Sequence, residues 1–404
     1  MVITSTDSDR ILAALDAFQI ELPSWGFADT GTRFGKFLQD AAASTIEEKL
    51  HDAGVVHALT GACPTVAVHV LWDFAAGVVP AAVAAAAAEH GVRIGSINPN
   101  LFQDQQYKFG SLCAGNPQVR NAALEHVMRC IDIGAAVGSR HLSLWLADGT
   151  NYPGQDNLRR RKHALQEALA EICTALAARW PAATLLVEYK PFEPAFYHTD
   201  LADWGMAYSL SRHAGPRAKV LVDTGHHLPG ANVEHIVAFL LDEGMLGGFH
   251  FNDRKYADDD LTLGSIDPYA VFRIFDQICQ FEYDTTARPD IAYMIDQSHN
   301  LKPKLEAMVQ TVVEAQRSFA KAQLVDRSAL LAAQTACDIV GAESILRAAF
   351  DADVTPLLSE WRHRRGLAAD PLTALRASGI IDRLAHERRA IRARSGKIST
   401  SSYA

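Results

Sequence analysis

The feature that most constrains the fold is a regular alternation of short apolar runs with longer helical segments along the 404-residue chain. The middle runs are nearly continuous apolar stretches that end in a polar residue, as in strands that helices cover on both faces. The pattern therefore predicts parallel strands joined by helices. The eight runs are IELPSWGF (20–27), TVAVHVLW (65–72), VRIGSIN (92–98), RHLSLWLA (140–147), TLLVEYK (184–190), KVLVDTG (219–225), LGGFHFN (246–252) and IAYMIDQ (291–297).

Helical segments fill the intervals between these runs. The sequence predicts helices over 117–137, 157–179, 232–244 and 268–280. An alanine-rich stretch at 78–91 is shorter than the ~18 residues of a membrane span and predicts a helix with one buried face. Eight strands with intervening helices indicate an α/β protein with a (β/α)8 TIM barrel. A doubly wound open sheet is the competing architecture, but no Gly-x-Gly-x-x-Gly segment joins a strand to a helix at its switch point.

The strand signals stop beyond about residue 302. Residues 303–394 are rich in Arg, Ala and Leu and predict several helices, and the polar tail SGKISTSSYA follows them. We therefore expect a catalytic barrel domain over 1–320 and a C-terminal helical extension with a polar tail over 321–404. Such an extension is a candidate arm for oligomer contacts.

Charge and cysteine usage exclude several classes of protein. The formal charge of −9 opposes the phosphate-neutralising surface that nucleic-acid binding requires. The six cysteines are scattered without a Cys-x-x-Cys pair, so we expect reduced core residues rather than a zinc ribbon or a disulfide framework.

The first residues lack a secretory signal pattern and no apolar run is long enough to span a membrane. We expect a cytoplasmic protein with no membrane partner.

Residues that can bind metal close four successive predicted strands. Glu188 closes the fifth strand, Asp223 followed by His226 closes the sixth, His250 the seventh and Asp296 the eighth. A single Asp at the end of a strand is usually a cap or a turn former. In a barrel, however, the C-terminal ends of all strands line one mouth, so four such strand ends in succession indicate a metal site.

The loop after the seventh predicted strand, NDRKYADDDLTLGS, adds acidic ligands to this set. On an extended segment, Asp258 and Asp260 would project in the same direction, whereas alone the DDD run would be a solvated acidic loop. Seven ligands exceed what one divalent ion takes from a protein, which indicates two ions that share Asp223. A ligand set of oxygen and nitrogen favours Mn²⁺, Mg²⁺ or Co²⁺ over a dedicated zinc site, and we expect manganese.

Further polar and aromatic residues lie near the predicted mouth. His69 at the end of the second strand is either a sugar-binding histidine or a core histidine. Lys190, just past the fifth strand, would supply a cation near substrate oxygens or pair with a ligand carboxylate. Trp145 near the end of the fourth strand, and Trp25 and Phe34 after the first, offer aromatic faces for a sugar, with core packing as the alternative.

Long blocks of the chain, in order, identify a resemblance that extends to about residue 320. The blocks are LPSWGFADTGTRFGKF, SINPNLFQDQQYKFGSL, SLWLADGTNYPGQ, EYKPFEPAFYHTDLADWG, LVDTGHHLPGANVEHIV, GGFHFNDRKYADDDLTLGSIDPY and YMIDQSHN. They closely resemble L-rhamnose isomerase of the broad-specificity bacterial type. The resemblance implies a xylose-isomerase-like barrel, a homotetramer, a monosaccharide substrate and two divalent ions per subunit, usually manganese.

The resemblance also implies a role for each matching position. The ligands of the first metal, which holds the sugar's hydroxyl oxygens, match Glu188, Asp223, His250 and Asp296. The ligands of the second, catalytic metal match Asp223, His226, Asp258 and Asp260. In that family a neighbouring subunit lends an aromatic residue at the position of Phe34. We assign catalytic roles to Asp258, Asp260, Lys190 and His69. We assign substrate contacts to His69, Trp145, Lys190, His226 and Phe34.

The implied reaction is an aldose–ketose isomerisation, most directly of L-rhamnose to L-rhamnulose. We expect a metal-assisted 1,2-hydride shift in which a water on the second ion, held by Asp258 and Asp260, moves the hydroxyl proton. A cis-enediol route with a side-chain base that removes the C2 proton stays open.

Three other functions compete with this interpretation. A sugar epimerase on the same barrel typically uses one ion with two flanking glutamates, whereas these ligands suffice for two ions. A barrel endonuclease of the same superfamily would need phosphate-binding Lys and Arg, which the acidic balance of this chain opposes. A catalytically silent protein that binds metal and sugar differs from an enzyme only in turnover.

Overall fold

Eight parallel strands, hydrogen-bonded in sequence order, form the central sheet. They are Leu22–Pro23, Thr65–His69, Arg93–Asn98, His141–Leu144, Thr184–Glu188, Ala218–Asp223, Leu246–Phe251 and Ala292–Ile295. The backbone N–H of Glu21 donates to the oxygen of Tyr293 at 2.8 Å, and that of Ile295 donates to the oxygen of Glu21 at 2.9 Å, which brings the last strand back to the first. The predicted TIM barrel is confirmed. The computed structural model describes residues 5–29, 31–32, 35–74, 77–193, 197–256, 258–298 and 300–395.

The first predicted strand, 20–27, is largely a turn. Leu22–Pro23 pairs with the second strand and Glu21 bridges to the eighth, whereas Ser24–Phe27 forms a short 3-10 helix. The physical reason is Pro23, which has no N–H to donate to a strand ladder. The turn carries Trp25 to the mouth of the barrel, where its indole N–H donates to Asp296 at 2.8 Å.

Helices follow the strands and surround the barrel, in close agreement with the predicted segments. Asn157 caps the second of the long helices, since its side chain accepts from the backbone N–H of Arg160. The segment predicted over 268–280 is longer than expected and ends at Thr285. The barrel helices are Ile46–Thr60, Val70–Asp73, Pro80–Glu89, Pro117–Val137, Leu158–Arg179, Trp204–Ala214, Val233–Asp242, Pro268–Thr285 and Lys304–Ala322.

The C-terminal region is helical, as the sequence predicts. An N-terminal helix, Ser5–Ala17, was not predicted, and it packs against this extension. The indole N–H of Trp361 donates to Asp16 at 2.7 Å, and the ring of Phe18 stacks on that of Phe319 at 4.6 Å. The N-terminal helix therefore packs against the helix Thr355–Arg364 of the extension. The helices of the extension are Arg327–Thr335, Ile339–Phe350, Thr355–Arg364, Pro371–Ala377 and Ile380–Ser395.

The expectation that all six cysteines lie in the core is wrong for one of them. Five are buried, but Cys337 is exposed, because it lies in the turn between the helices Arg327–Thr335 and Ile339–Phe350 of the extension. In the part of the chain that the structure describes, no cysteine forms a disulfide. No described helix is both long enough and apolar enough to cross a membrane.

The last helix, Ile380–Ser395, binds the loop that follows the first strand. Arg388 is only 4% exposed, and its guanidinium donates to both carboxylate oxygens of Asp52 at 2.7 and 2.8 Å and to the backbone oxygen of Ala41. Gln39 in the same loop donates to the backbone oxygen of Lys302 at 2.9 Å, beyond the eighth strand. The extension thus holds the helix Ile46–Thr60 through a buried ion pair and the loop before it through a backbone oxygen.

We expect Arg388→Met to lower the free energy of unfolding by about 3–5 kcal/mol, because it leaves the Asp52 carboxylate buried without its counter-ion. Denaturant unfolding followed by circular dichroism measures the change. Arg383→Met is the matched control, since Arg383 lies on the same helix and makes an exposed pair with Glu387 at 4.0 Å. It should change stability little. Equal effects of the two substitutions would contradict the assigned role of Arg388.

Candidate metal centre

Four predicted residues converge at the C-terminal ends of four neighbouring strands. Glu188 and Asp223 close the fifth and sixth strands, His250 lies one residue before the end of the seventh, and Asp296 directly follows the eighth. One ligand atom from each lies within 4.8 Å of the others. Parallel pairing explains the convergence, because it brings all these strand ends to one mouth.

The chemistry of this cluster fits a divalent metal ion. In the described part of the chain, the buried Nδ1 atom of His250 makes no hydrogen bond. Three carboxylate oxygens nevertheless surround it, those of Glu188 at 3.2 Å, Asp296 at 3.6 Å and Asp223 at 3.9 Å. An imidazole nitrogen and carboxylate oxygens are the ligands that Mn²⁺ and similar ions accept, and such an ion would satisfy all four side chains together.

Burial and mutual repulsion perturb the protonation of these groups. Burial raises the pKa of the Asp223 carboxyl, and the carboxylates of Glu188 and Asp296 add to this rise against the opposing effect of His226. Burial favours neutral Glu188, but the imidazoles of His250 and His226 outweigh it and lower the pKa of Glu188. Burial also opposes protonation of His250, yet the Glu188 carboxylate raises its pKa to about 9. Metal binding must therefore displace protons.

The second predicted ligand set is arranged differently. His226 donates from Nδ1 to the backbone oxygen of Tyr189 at 3.1 Å, and its Nε2 lies 2.9 Å from the carboxylate of Asp258. Asp258 also pairs with Lys190. Among the described residues, the ligand atoms of this second set do not converge as those of the first set do. The second ion stays a prediction.

The sequence predicted an extended segment for the acidic loop around Asp258 and Asp260, and this prediction is wrong. Asp258 and Asp260 have φ of 50° and 48°, in the left-handed region that Asp tolerates better than most residues. The carboxylate of Asp259 accepts from the backbone N–H groups of Lys255 and Tyr256 at 2.5 and 2.7 Å, which turns the loop. Burial, and then the nearby Asp258 carboxylate, raise the pKa of Asp260 well above its usual range.

Lys190 forms an ion pair with carboxylates, which was one of the two roles predicted for it. Its ammonium donates to Asp258 and, at 2.9 Å, to Glu193, and it lies 5.1 Å from the ring centre of Trp145. Burial opposes the charged form, but the two carboxylates raise the pKa of Lys190, so it stays a cation. Glu193 was missed, although its place three residues after Lys190 is a detectable signal.

Aromatic rings line the mouth beside the cluster. The ring of His69 lies 4.1 Å from that of Trp72, 4.8 Å from Trp25 and 5.8 Å from Phe102, and Phe102 lies 5.1 Å from Trp145. Burial lowers the pKa of His69 to about 3, and its Nδ1 has no hydrogen-bond partner among the described residues. His69 is therefore a neutral imidazole with a free polar atom rather than a satisfied core histidine.

Phe34, a predicted substrate contact, lies outside the described residues. Asn252 was not predicted, yet its amide donates to both oxygens of Asp223 at 3.0 and 3.1 Å, while the N–H of Gly225 donates to the same carboxylate at 2.7 Å. A Cβ at Gly225 would lie 2.4 Å from the Asn252 oxygen, so this position requires glycine. The position of Asn252, two residues after His250, was the available signal.

A second group of possible ligands, Cys113, Asp148 and Asp200, is satisfied by the protein itself. Asp148 accepts from the backbone N–H and the hydroxyl of Ser111, both at 2.7 Å, and from the N–H of Cys113 at 2.8 Å. The guanidinium of Arg161 donates to both carboxylate oxygens of Asp200. Burial raises the pKa of the Cys113 thiol well above its usual range. This group is a hydrogen-bonded structural network rather than a metal centre.

The family of the chain follows from a comparison of its sequence with family models. Residues 61–282 match the model described as Xylose isomerase-like TIM barrel. The chain belongs to this family. Its four converging strand-end residues are thus the candidate metal centre of a xylose isomerase-like barrel.

Similar proteins support this assignment. A probable sugar isomerase of Mesorhizobium japonicum is 41% identical over 395 residues, which covers 96% of this chain and 90% of that protein. A probable sugar isomerase of Rhizobium meliloti is 39% identical over 397 residues, covering 97% and 91%. The solved structure of an L-ribulose 3-epimerase has a TM-score of 0.54 and 16% identity, covers 82% of this chain and 97% of that one, and shares the fold.

We expect the affinity for Mn²⁺ to rise as the pH is raised from about 6 to about 8. Below the raised pKa values of His250 and His226 the imidazoles carry protons, which the metal must displace. For each displaced proton, the affinity falls by up to about tenfold for every unit by which the pH is lowered. Isothermal titration calorimetry in two buffers of different ionisation enthalpy measures the protons released.

The control for this experiment is His213→Asn, which changes an exposed histidine in the last turn of the helix Trp204–Ala214, outside the cluster, and should leave the proton release unchanged. His250→Asn should reduce both affinity and proton release. Binding that is independent of pH and releases no protons would contradict the assignment of these imidazoles as ligands.

Proposed function

We propose that this protein is a metal-dependent aldose–ketose isomerase, with L-rhamnose to L-rhamnulose as its first candidate reaction. The observation that carries the proposal is the convergence of Glu188, Asp223, His250 and Asp296 beside an aromatic-lined mouth. The family and the probable sugar isomerases among its relatives support a sugar isomerase or epimerase as the broad class of enzyme. The choice of L-rhamnose rests on the sequence blocks described above.

The four strand-end residues would hold the first divalent ion, with Asp223 shared with a second ion that His226, Asp258 and Asp260 complete. The bound ions, for which manganese is our first candidate, would polarise the sugar carbonyl and chelate its hydroxyl oxygens. Asn252 and the N–H of Gly225 hold the carboxylate of Asp223 in place. This support leaves one orientation for the residue on which both sites would depend.

The side chains of the chain itself account for binding and proton movement. Lys190 is a fixed cation at the mouth and would stabilise negative charge that develops on a sugar oxygen. Asp258, held between Lys190 and His226, would together with Asp260 position the water that moves the hydroxyl proton between the two sugar oxygens. The free Nδ1 of His69 would bind a sugar oxygen, while Trp25 and the other mouth rings shield the sugar from water.

The proposed hydrogen transfer between C1 and C2 is a hydride shift. This route needs no side-chain base that removes a proton from carbon. His69 would be a poor base of that kind, because burial lowers its pKa to about 3. Deuterium from solvent should therefore stay out of the transferred position during a single turnover. Substantial incorporation would instead favour the enediol route.

A sugar epimerase, or an isomerase of another monosaccharide, is the second candidate. The observation that favours it is the shared fold with the solved L-ribulose 3-epimerase. The products separate the two reactions, because an isomerase converts an aldose to a ketose, whereas an epimerase returns a sugar of the same carbonyl type.

We also propose a homotetramer in which the barrel, residues 1–320, contributes the catalytic residues and the extension, 321–404, contributes subunit contacts. Exposed apolar side chains on the extension support this assignment, since Leu331, Ile339 and Val340 are 58%, 68% and 75% exposed. In such an assembly Phe34 would come from a neighbouring subunit. A light-scattering mass near that of one chain would contradict the assembly.

We expect the purified protein to form a ketose from L-rhamnose, to lose this activity when a chelator removes bound metal, and to regain it with Mn²⁺. Asp223→Asn should abolish turnover, because the shared charge is lost, and Asp260→Asn should lower kcat at least about a hundredfold. A coupled ketose assay on protein stripped and reloaded in parallel measures both effects.

Asp259→Asn is the matched control, because Asp259 belongs to the same acidic run but turns the loop through backbone contacts that an amide oxygen can retain. It should leave turnover nearly unchanged. Near-normal turnover in Asp223→Asn would refute the shared-ligand assignment, and activity that survives complete metal removal would refute the proposed function.

A further inference from the structure

We infer that Arg161 is a positioning residue for the candidate site, which sets the place of the Lys190 ammonium against Asp258 through a buried network of loops. Arg161 lies in the first turn of the helix Leu158–Arg179, outside the residues that face the cluster. The kinetic part of the inference rests on the proposed function, whereas its structural part stands without it.

Arg161 is a buried cation with a donor aimed at each of three loops. It is 2% exposed. Its guanidinium donates to Asp200 in the loop after the fifth strand at 2.7 Å, to Asp156 after the fourth strand at 3.0 Å, and to the backbone oxygen of Phe109 after the third strand at 3.0 Å. The rigid fork of an arginine spreads five N–H donors over three nitrogens and so spans these three loops, whereas a lysine has three donors on a single nitrogen.

Asp148 extends the network between the same loops. Its carboxylate accepts the donors of Ser111 and Cys113, and its backbone oxygen accepts from the N–H of Asp200 at 2.8 Å. The fit around Arg161 is tight, because a Cβ at Gly110, where φ is 103°, would lie 2.8 Å from the guanidinium. The three loops are thus fastened to one another beneath the mouth.

The network reaches Lys190 through the residues that flank Asp200. The hydroxyl of Thr199 donates to the backbone oxygen of Lys190, and the N–H of Lys190 donates to the backbone oxygen of Leu201 at 3.0 Å. Thr199 and Leu201, which flank Asp200 in the sequence, therefore hold the backbone oxygen and the backbone N–H of Lys190. Asp200 is the carboxylate that Arg161 binds. A lysine side chain has four rotatable bonds, so a fixed backbone is needed to bring its ammonium to one place.

The path ends in the loop after the seventh strand. The ammonium of Lys190 pairs with Asp258, whose other carboxylate oxygen lies 2.9 Å from His226. Arg161 thus acts on a carboxylate of the candidate site without touching it. If Arg161 merely supported the fold, its loss would act in the same way whether or not Lys190 were present.

A double-mutant cycle between Arg161→Met and Lys190→Met tests this difference. In metal-free protein, hydrogen exchange of peptides covering residues 253–261 reports the Lys190–Asp258 tether without any need for activity. We expect faster exchange there in each single variant and no further increase in the double variant. In the ketose assay, Arg161→Met should lower kcat by about ten- to a hundredfold in the presence of Lys190 and change it little in its absence, with KM less affected than kcat.

Arg179→Met is the matched control, since Arg179 lies on the same helix but makes an exposed pair with Asp132. It should leave exchange and turnover unchanged. Arg161→Lys keeps the charge and loses the fork, and it replaces Arg161→Met in the cycle if the latter does not fold. Additive effects in the exchange cycle would overturn the inference. Coupling in exchange together with no turnover in the wild-type protein would uphold the structural part of the inference and refute the proposed function instead.

Discussion

The burial of several carboxylates in one small volume is the constraint on which the rest of this site depends. Glu188, Asp223 and Asp296 meet at the barrel mouth around a single imidazole, and neither burial nor mutual repulsion favours their charged forms. The surrounding donors reduce this cost, since Asn252 supports Asp223 and Trp25 supports Asp296. A divalent cation would remove most of the remaining cost, which makes the cluster a candidate binding site for such an ion.

Two buried arginines stabilise the loops that surround this cluster. Arg388 joins the C-terminal extension to the helix Ile46–Thr60 through Asp52 and to the loop before that helix through Ala41. Arg161 joins the loops after the third, fourth and fifth strands through Phe109, Asp156 and Asp200. Each guanidinium binds a carboxylate and a backbone oxygen, so each fixes both a side chain and the path of a loop. The barrel supplies the strand ends, and these arginines give the loops between them defined positions.

The sequence predicted the features that follow from strand direction, and it did so for a physical reason. Once the eight runs were interpreted as parallel strands, the side chains that close four of them had to share one mouth, as Glu188 and His250 do. Loop conformation has no such regularity. The left-handed Asp258 and the turn after Leu22–Pro23 depend on local backbone contacts that no periodic pattern encodes. The Arg161 network was missed because its partners lie on separate loops, far apart in sequence.

The most direct test of the central claim is a crystal structure of the protein soaked with Mn²⁺, with anomalous scattering used to locate the ions. The account predicts an anomalous peak bonded to Glu188, Asp223, His250 and Asp296, and no peak between Cys113, Asp148 and Asp200, where hydrogen bonds already satisfy the carboxylates. A peak at the second group with none at the first, or no ordered ion at the strand ends, would contradict the account.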